Sequence, residues 1–175
     1  LNHGRSHVDD LADCDVAEML GRGFRATTEA VQLSRARAIV ICVPTPLSTD
    51  GAPDLGPLRV AVGSVASQLR AGTLVILEST TYPGTTDEEI RPILEAGGMT
   101  AGEDFFLAFS PERIDPGNRH FGPKNTPKVV GGHTLACADA AEAFYSRFID
   151  TVVRTKGTRE AEMAKLLENT YRHVN

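Results

Sequence analysis

The chain has 175 residues, of which 41% are hydrophobic and 23% charged, and its formal net charge at pH 7 is −5; this size and balance are typical of one soluble globular domain. The acidic balance excludes a general binder of nucleic-acid backbones, because such proteins need a basic surface. The apolar runs are much shorter than the ~20 residues that cross a membrane, and the first residues have no signal-peptide pattern, so we expect a cytoplasmic protein without nucleic-acid or membrane partners.

Five short apolar runs predict β-strands. Each run is mostly apolar on both faces and is bounded by turn residues, as buried parallel strands are. Longer segments with helical patterns separate the runs. The predicted strands are residues 38–43, 73–78, 105–109, 128–132 and 151–155.

Helix signals lie between these strands. Apolar residues repeat at helical spacing over residues 55–69, where Asp54 is the expected N-cap and Pro57 fits the first turn. Thr134 is the expected N-cap of a later helix that runs to about Phe148. Strands that alternate with helices in this way predict crossover connections and a sheet covered on both faces. The predicted fold class is therefore α/β, a Rossmann-like, doubly wound and mainly parallel sheet.

A run of hydroxyl side chains follows the second predicted strand, in the sequence "LESTTYPGTT" at residues 77–86. Its last two threonines match N-caps, because Thr85 with Glu88, or Thr86 with Glu89, fits a capping box. We therefore expect a helix to begin here and to continue to about Glu95. The remaining hydroxyls fit either a polar loop or a binding site.

The string "GRGFRA" at residues 21–26 matches the glycine pattern of dinucleotide-binding turns, but its context is wrong. That pattern needs a strand before it and a helix after it, so that the glycines turn beneath a pyrophosphate. Here the preceding residues have a helical pattern. We interpret Gly21 and Gly23 as a helix end followed by a turn, and we expect the glycine-rich turn of a Rossmann-like domain to lie before Leu1.

Polar loops rich in Pro and Gly follow three successive predicted strands. They begin with "PTPLSTDG" after Val43, "STTYPGTT" after Glu78 and "SPERIDPGN" after Phe109. In an open α/β sheet, ligands bind outside the carboxyl ends of the strands. Because all three loops are expected at that edge, they predict a binding site there.

The segment "EAEMAKLLENTYRHVN" at residues 160–175 has the clearest helical pattern. Lys165 and Asn169 lie four residues apart and therefore share one face. Spacing alone favours a solvated face for this pair, supported by ion pairs such as Glu168 with Arg172. The other face carries an apolar stripe of Met163, Leu166, Leu167, Tyr171 and Val174.

The cysteines and histidines give no pattern of a disulfide framework or a metal site. Cys14, Cys42 and Cys137 are odd in number and lack CxxC spacing. The five histidines include no pair at the spacing of helical metal ligands. We therefore predict no metal, and we interpret Cys42 and Cys137 as packing residues.

Five motifs together resemble the UDP-glucose/GDP-mannose dehydrogenase family, whose members oxidise the C6 alcohol of a nucleotide sugar to a carboxylate with two NAD. Each string alone is weak, but their order and spacing are specific, and they extend over nearly the whole chain. Several forms are most similar to the UDP-N-acetylglucosamine 6-dehydrogenases of bacterial surface polysaccharide synthesis, although N-acetylmannosamine and glucose relatives share much of the pattern. The motifs are "CVPTPL" (42–47), "ESTTYPGTT" (78–86), "FSPERIDPGN" (109–118), "PKVVGGHT" (127–134) and "AEMAKLLENTYRHVN" (161–175).

The resemblance implies roles for the residues that match these motifs. Thr80 is implied to lie near the nicotinamide, and Glu112 to act as a base or to hold a water. Lys165 and Asn169 are implied to stabilise charge that develops on the C6 oxygen, which replaces the solvated-face interpretation. The implied NAD contacts are Val43, Pro44, Thr45, Ser79 and Thr80, and the implied UDP-sugar contacts are Glu112, Arg113, Lys165 and Asn169.

The resemblance also has departures. Many UDP-glucose enzymes carry a second Glu four residues after the first, where this chain has Pro116 with Asp115 beside it. The family's nucleophilic cysteine belongs to a Gly-rich motif that this chain does not contain. We expect residues 1–157 to form part of an NAD-binding Rossmann-like domain and residues 158–175 to begin the central helix. Full-length relatives are expected to be homodimers or larger.

Two hypotheses about activity follow from these departures. In the first, the chain is a piece of an NAD-dependent UDP-sugar 6-dehydrogenase. In the second, it is a non-catalytic remnant that binds nucleotides. We expect no turnover by this chain alone, because half of a cleft cannot hold both substrates in register.

Overall fold

The chain folds into two compact units, Leu1–Val31 and Gln32–Asn175. The first unit contains helix α1 (Asp13–Gly21), which buries Val16. Gly23 follows with a φ of 101°, a conformation that favours glycine. The predicted helix end and turn are confirmed. The computed structural model describes residues 1–7, 11–49, 51–113 and 125–174, and of Arg172 and His173 only the backbone.

The second unit is built on a sheet whose five strands, within the described residues, are arranged in chain order. Three of the four neighbouring pairs are parallel, and only β3 with β4 is antiparallel. The predicted strands and the mainly parallel sheet are therefore confirmed. The strand at 128–132 has the predicted bounds, and the other four are one or two residues shorter than predicted. The strands are β1 (Ala38–Ile41), β2 (Leu74–Leu77), β3 (Phe106–Phe109), β4 (Lys128–Gly132) and β5 (Val152–Arg154).

Strand β4 enters the sheet at the edge where β1, β2 and β3 end. The register pairs Phe109, the last residue of β3, with Gly131. Lys128, the first residue of β4, therefore lies beside the polar loop that follows β3. The sequence predicts this strand but not its direction, because an apolar run looks the same in both orientations.

Helices and helical turns connect the strands. Helix α4 begins where predicted, since Thr134 Oγ1 accepts a hydrogen bond of 3.2 Å from the main-chain N of Cys137. The described elements are a 3-10 turn (Ala30–Arg35), α2 (Gly56–Ala66), a π-helical turn (Thr85–Ile90), α3 (Arg91–Glu95), α4 (Leu135–Tyr145) and α5 (Thr158–Val174).

The sheet has an apolar cluster on each face. Val75 and Leu77 of β2 belong to the cluster that includes α2, whereas Leu74 and Ile76 belong to the cluster that includes α4. This alternation follows from the two-residue period of a strand. Burial of each such side chain contributes about 1.5–3 kcal/mol. The predicted coverage of both faces is thus confirmed.

Asp54 contacts the start of α2 but is not its N-cap residue. Leu55 occupies the N-cap position. The Asp54 side chain instead accepts a hydrogen bond of 2.8 Å from the main-chain N of Gly56. Asp54 therefore does accept a hydrogen bond from a main-chain donor of the first turn, as predicted, but it lies one residue before the N-cap position. Pro57 lies in the first turn, as predicted.

The predicted capping box after β2 is wrong. Gly84 is the cap of the π-helical turn, and the Thr85 hydroxyl donates to the carbonyl of Tyr82. The free main-chain donors of this turn are satisfied by Glu162 of α5, which is fully buried. Glu162 accepts hydrogen bonds from the main-chain N atoms of Gly84 and Thr86 at 2.5 and 2.8 Å. A distant carboxylate thus replaces the local cap.

Helix α5 packs through a face different from its apolar stripe. Thr158, Ala161 and Glu162 are buried, and Lys165 and Asn169 are half-buried. The solvated face that spacing alone favours for Lys165 and Asn169 is therefore wrong. Most of the apolar stripe is exposed instead, at 43% for Met163, 63% for Leu167, 69% for Tyr171 and 78% for Val174.

Candidate functional site

A cavity of about 530 Å³ lies at the carboxyl ends of β1, β2 and β3. This is the edge at which the three polar loops were expected to meet. The cavity contains every predicted NAD contact together with Glu112. The described lining residues are Cys42, Val43, Pro44, Thr45, Glu78, Ser79, Thr80 and Glu112.

Two hydrogen bonds tie the loop after β1 to the loop after β2. The Ser79 hydroxyl donates to the carbonyl of Val43 at 2.7 Å, and the Thr45 hydroxyl donates to the carbonyl of Thr80 at 2.6 Å. Ser79 is buried, whereas Thr80 is exposed. The Ser79 side chain therefore holds the loops together, and Thr80 is presented at the cavity wall.

Thr81 differs from its neighbours. Its residue is 4% exposed, and its Oγ1 atom has no hydrogen-bond partner among the described residues. A buried hydroxyl without a partner costs about 1–3 kcal/mol. The three consecutive hydroxyls thus have different environments. The Ser79 hydroxyl is hydrogen-bonded to the loop after β1, Thr80 is exposed, and the Thr81 hydroxyl is buried without a partner among the described residues.

A cluster of ionisable side chains adjoins the cavity, and two of its members, Glu78 and Glu112, line it. Lys128 Nζ lies 2.8 Å from Glu78 Oε1 and 3.3 Å from Glu112 Oε2. Tyr145 of α4 donates a hydrogen bond to the same Glu78 oxygen, and Lys128 Nζ lies 5.1 Å from the centre of the Tyr145 ring. Sequence reasoning missed Glu78, Lys128 and Tyr145, because their meeting depends on the antiparallel direction of β4.

The cluster keeps two weak acids protonated at neutral pH. Burial, followed by the negative charge of Glu78, raises the pKa of the Tyr145 hydroxyl well above its usual range. The same two causes raise the pKa of the Cys42 thiol to about 11. The thiolate is the nucleophilic form of cysteine. Cys42 is exposed, follows β1 and lines the cavity, so its interpretation as a packing residue is wrong. Its raised pKa nevertheless makes it a poor nucleophile.

Helix α5 contacts the loop that follows β3. Lys165 Nζ donates a hydrogen bond to the main-chain carbonyl of Glu112, and Arg113 Nε donates to Glu168 Oε2 at 2.8 Å. Asn169 lies one helical turn after Lys165 on the same face. The structure thus brings Lys165 to Glu112, although neither Lys165 nor Asn169 is among the described residues that line the cavity.

A second, smaller cavity of about 240 Å³ adjoins the same cluster. Its wall includes Glu78, Glu112, Lys128 and Tyr145. It contains Arg113, the remaining predicted substrate contact. Phe148 and Ile149, which follow α4, give it an apolar side. Glu78 and Glu112 line both cavities. Asp115 and Pro116, at the position of the family's second Glu, lie outside the described residues.

The larger cavity fits the nicotinamide end of NAD better than its phosphates. Its described lining offers the hydroxyls of Thr45 and Thr80 and main-chain groups, which suit a carboxamide or ribose. Its charged side chains are Glu78 and Glu112, and carboxylates favour the positively charged nicotinamide ring over a phosphate. Among the described residues, the turn at Gly21 and Gly23 follows a helix rather than a strand, so it lacks the context of a pyrophosphate turn.

The described parts of the chain contain neither a cluster of metal-binding side chains nor a helix that could cross a membrane. No group of three or more His, Cys, Asp or Glu side chains in them could hold a metal ion. None of the helices found there is both long and apolar enough to cross a bilayer.

Comparison with known proteins gives a family and a set of relatives. Residues 1–149 match the NAD binding domain of the UDP-glucose/GDP-mannose dehydrogenase family. The chain is 41% identical to protein CapL of Staphylococcus aureus over 98% of this chain and 41% of that protein. It is 36% identical to UDP-N-acetyl-D-glucosamine 6-dehydrogenase of Pseudomonas aeruginosa, again over 98% of this chain and 41% of that protein. The chain therefore spans about two fifths of the length of these relatives.

Solved structures give the same result for the fold. The structure of UDP-D-ManNAc dehydrogenase from Pyrococcus horikoshii superposes with a TM-score of 0.90 at 38% identity, over 98% of this chain and 41% of that chain. A ternary complex of GDP-mannose dehydrogenase from Pseudomonas aeruginosa superposes with a TM-score of 0.86 at 25% identity, over 99% of this chain and 41% of that chain. The Rossmann-type fold is therefore confirmed.

Proposed function

The chain belongs to the UDP-glucose/GDP-mannose dehydrogenase family, a family of NAD-dependent enzymes. From that membership we propose that it forms part of a UDP-sugar 6-dehydrogenase for surface polysaccharide synthesis. The favoured substrate is UDP-N-acetylglucosamine. The names of two relatives, from Salmonella typhi and Pseudomonas aeruginosa, support that sugar. UDP-N-acetylmannosamine is the first alternative, since relatives from Pyrococcus horikoshii and Escherichia coli are dehydrogenases of that sugar, and UDP-glucose is the second.

The observation that carries this proposal is the meeting of Thr80, Glu112 and Lys165 at one edge of the sheet. Thr80 and Glu112 line one cavity, and Lys165 contacts the main chain of Glu112. Oxidation of a C6 alcohol to a carboxylate consumes one water and releases two hydrides and three protons. The site therefore needs a proton acceptor and a cation near the oxygen that loses its proton.

Each residue has a role in this proposal. Glu112 accepts a proton from the C6 alcohol or from the attacking water. Lys165, with Asn169, stabilises the negative charge that develops on the C6 oxygen. Thr80 orients the reacting group or the water through its hydroxyl. Arg113 orients the UDP-sugar from the neighbouring cavity.

NAD supplies the hydride acceptor when it is bound. In the proposal the loop residues Val43, Pro44 and Thr45 hold one side of the nicotinamide end. Ser79 and Thr80 hold the other side, and the hydrogen bonds between the two loops keep the two sides at a fixed separation. Two loops joined in this way lose less conformational entropy on binding than two independent loops would.

We propose that residues 1–157 form the cofactor-binding part of the protein and that residues 158–175 begin its central helix. The α5 stripe of Met163, Leu167 and Tyr171 supports this division, because an exposed apolar face on a helix is typical of a surface that another element covers. A homodimer or larger assembly of the complete protein, acting in the cytoplasm, belongs to the same proposal. The runner-up function is a non-catalytic nucleotide-binding remnant.

The test is NADH formation by the complete gene product, supplied separately with the three UDP-sugars. We expect two NADH per UDP-N-acetylglucosamine and slower reaction with the other sugars. Equal or faster turnover of UDP-glucose would contradict the choice of sugar. NAD binding without NADH from any sugar would favour the remnant, and NADH from residues 1–175 alone would contradict the expected inactivity of this chain.

Variants of the complete gene product test the residue roles. Glu112→Gln is expected to lower kcat by about 10²–10⁴-fold, the usual contribution of a general base. Lys165→Met is expected to lower kcat by about 10²–10³-fold, as the loss of an oxyanion donor does. Lys156→Met is the matched control, since Lys156 is exposed and lies outside both cavities.

A further inference from the structure

Glu112 shares the cation of Lys128 with a second carboxylate, that of Glu78. The two ion pairs measure 3.3 Å to Glu112 Oε2 and 2.8 Å to Glu78 Oε1. From this geometry we propose that Lys128 is a positioning residue, held in place by Glu78, that fixes the carboxylate of Glu112 at the wall shared by the two cavities. This inference takes the catalytic importance of Glu112 from the proposed function, but its geometry does not depend on that function.

Lys128 is well fixed from several directions. Its main-chain N donates to the carbonyl of Thr151 at 2.9 Å, and its residue is only 7% exposed. The ring of Tyr145 lies beside its ammonium group, 5.1 Å from Nζ to the ring centre. A lysine held at the start of a sheet strand and packed against an aromatic ring has little freedom to follow a mobile partner. Lys128 is therefore the fixed member of the pair.

The two carboxylates differ in how tightly they are held. The Glu78 side chain is 13% exposed, and it also accepts hydrogen bonds from Tyr145 and, at 3.7 Å, from the Cys42 thiol. The Glu112 side chain is 48% exposed. Because a buried ammonium group needs a compensating charge, Glu78 supplies the permanent partner. Glu112 is the partner that faces solvent and lines both cavities.

Glu112 has further contacts with the charged residues around it. Lys165 donates to its main-chain carbonyl, and Arg113, the next residue, donates through Nε to Glu168. Glu112 Oε1 accepts from the main-chain N of Arg113 at 2.6 Å, and Oε2 lies 3.3 Å from Lys128 Nζ. The backbone thus contacts one carboxylate oxygen and Lys128 contacts the other.

A carboxylate fixed in this way is suited to accept a proton from a bound alcohol or water. The ion pair favours its ionised form, and the two contacts select one orientation from the several that an exposed glutamate samples. Loss of Lys128 would remove both the preference for the ionised form and the restraint on the orientation of the carboxylate. Glu112 would then titrate at a higher pH and sample more side-chain conformations.

The experiment is a carbon-13 NMR titration of the Glu112 carboxyl group in the 175-residue chain, without cofactor or substrate. The signal is assigned by its absence in Glu112→Gln. In Lys128→Met we expect the titration midpoint of Glu112 to rise by about one pH unit, the lower end of ion-pair effects because the group is half exposed. Lys128→Arg should keep the midpoint within a few tenths of a unit, since it keeps the charge.

Glu78→Gln provides a second, opposite readout if Lys128→Met does not fold. It removes a neighbouring negative charge and leaves Lys128 to a single carboxylate, so the midpoint of Glu112 should fall. Lys156→Met, at an exposed lysine, is the matched control and should not change it. An unchanged midpoint in folded Lys128→Met, or in Glu78→Gln, would overturn the proposal and leave Lys128 a structural residue only. Failure of the dehydrogenase assay would leave these titrations unaffected, so the two proposals are tested separately.

Discussion

Glu162 and Thr86 are 76 positions apart in the chain and are joined by two hydrogen bonds. Glu162 Oε1 accepts from the Thr86 main-chain N at 2.8 Å and from its hydroxyl at 2.7 Å. Its other oxygen accepts from the Gly84 main-chain N. The helix that carries Lys165 is thereby attached to the segment that follows Thr80. Two groups of proposed site residues, distant in sequence, are held together by one buried carboxylate.

Replacement of Glu162 by Ala is expected to lower the free energy of unfolding by about 3 kcal/mol or more. The substitution leaves three buried donors without an acceptor, and each costs about 1–3 kcal/mol. Urea unfolding at neutral pH measures the change. Glu160→Ala is the control, because Glu160 is exposed on the same helix, and it should change stability by less than about 0.5 kcal/mol. Equal effects of the two substitutions would contradict the capping role of Glu162.

The stability of the chain should carry a pH dependence that comes from Glu162. Burial raises the pKa of this carboxyl above its ordinary value of 4.5, although hydrogen bonds from Thr86 and Gly84 oppose the shift. The folded chain therefore holds this proton more tightly than the unfolded chain does. This contribution to stability is fully present below about pH 4.5 and is lost as the pH rises through the folded-state pKa.

Glu162→Gln removes that proton equilibrium and keeps the shape of the side chain. We expect the free energy of unfolding of the variant, relative to the unsubstituted chain, to rise as the pH increases from 4.5 toward neutrality. Urea unfolding over this range measures both chains under the same conditions. A relative stability that falls with pH would instead mean that the ionised form is preferred in the folded chain.

Gly131 of β4 should not tolerate a side chain. A Cβ atom at this position would overlap the carbonyl of Gly157, which is backbone and cannot move aside easily. Gly131→Ala should therefore lower the free energy of unfolding by about 1–3 kcal/mol, as overpacking does. Gly63 of α2 has no heavy atom within 4 Å of the equivalent position, so Gly63→Ala should stabilise the chain by about 0.5–1 kcal/mol. Thermal unfolding of the two variants gives the comparison, and a loss of stability in both would contradict it.

Cys42 should react slowly with iodoacetamide at neutral pH, because its thiol has a raised pKa of about 11. The rate should rise about tenfold for each pH unit up to that value, since the thiolate fraction does. A chain with Cys14 replaced by Ser isolates the reaction, because Cys137 is buried. Glu78→Gln should speed the reaction at neutral pH by removing the nearby negative charge. Rapid alkylation of the unsubstituted thiol would show that it is ionised.

The sequence predicts most of this fold because its strands are short, apolar and separated by clear turn residues. All five predicted strands are present, and the site lies at the edge that parallel topology implies. The capping box at Thr85 and Thr86 fails for a physical reason. A local cap and a distant carboxylate satisfy the same donors, and only the folded chain shows that Glu162 is near.

The ionic cluster at the cavity could not be predicted for a related reason. Glu78 ends one apolar run and Lys128 begins another. Nothing in either run specifies the direction of β4. Helix α5 shows the same limit, because its apolar stripe predicts a buried face, whereas Leu167 and Tyr171 are exposed. Periodicity identifies a helical face but not the partner that covers it.

The reversal of β4 has one further consequence, for how two strands share the site. Since β3 and β4 are antiparallel neighbours, the end of β3 and the start of β4 lie at the same edge of the sheet. Ser110 Oγ, directly after β3, donates to the carbonyl of Val129 at 2.8 Å, and Lys128 Nζ lies 3.3 Å from Glu112 Oε2 although the two residues are 16 positions apart. A substitution at the start of β4 therefore alters the loop after β3 directly, without passing through the core.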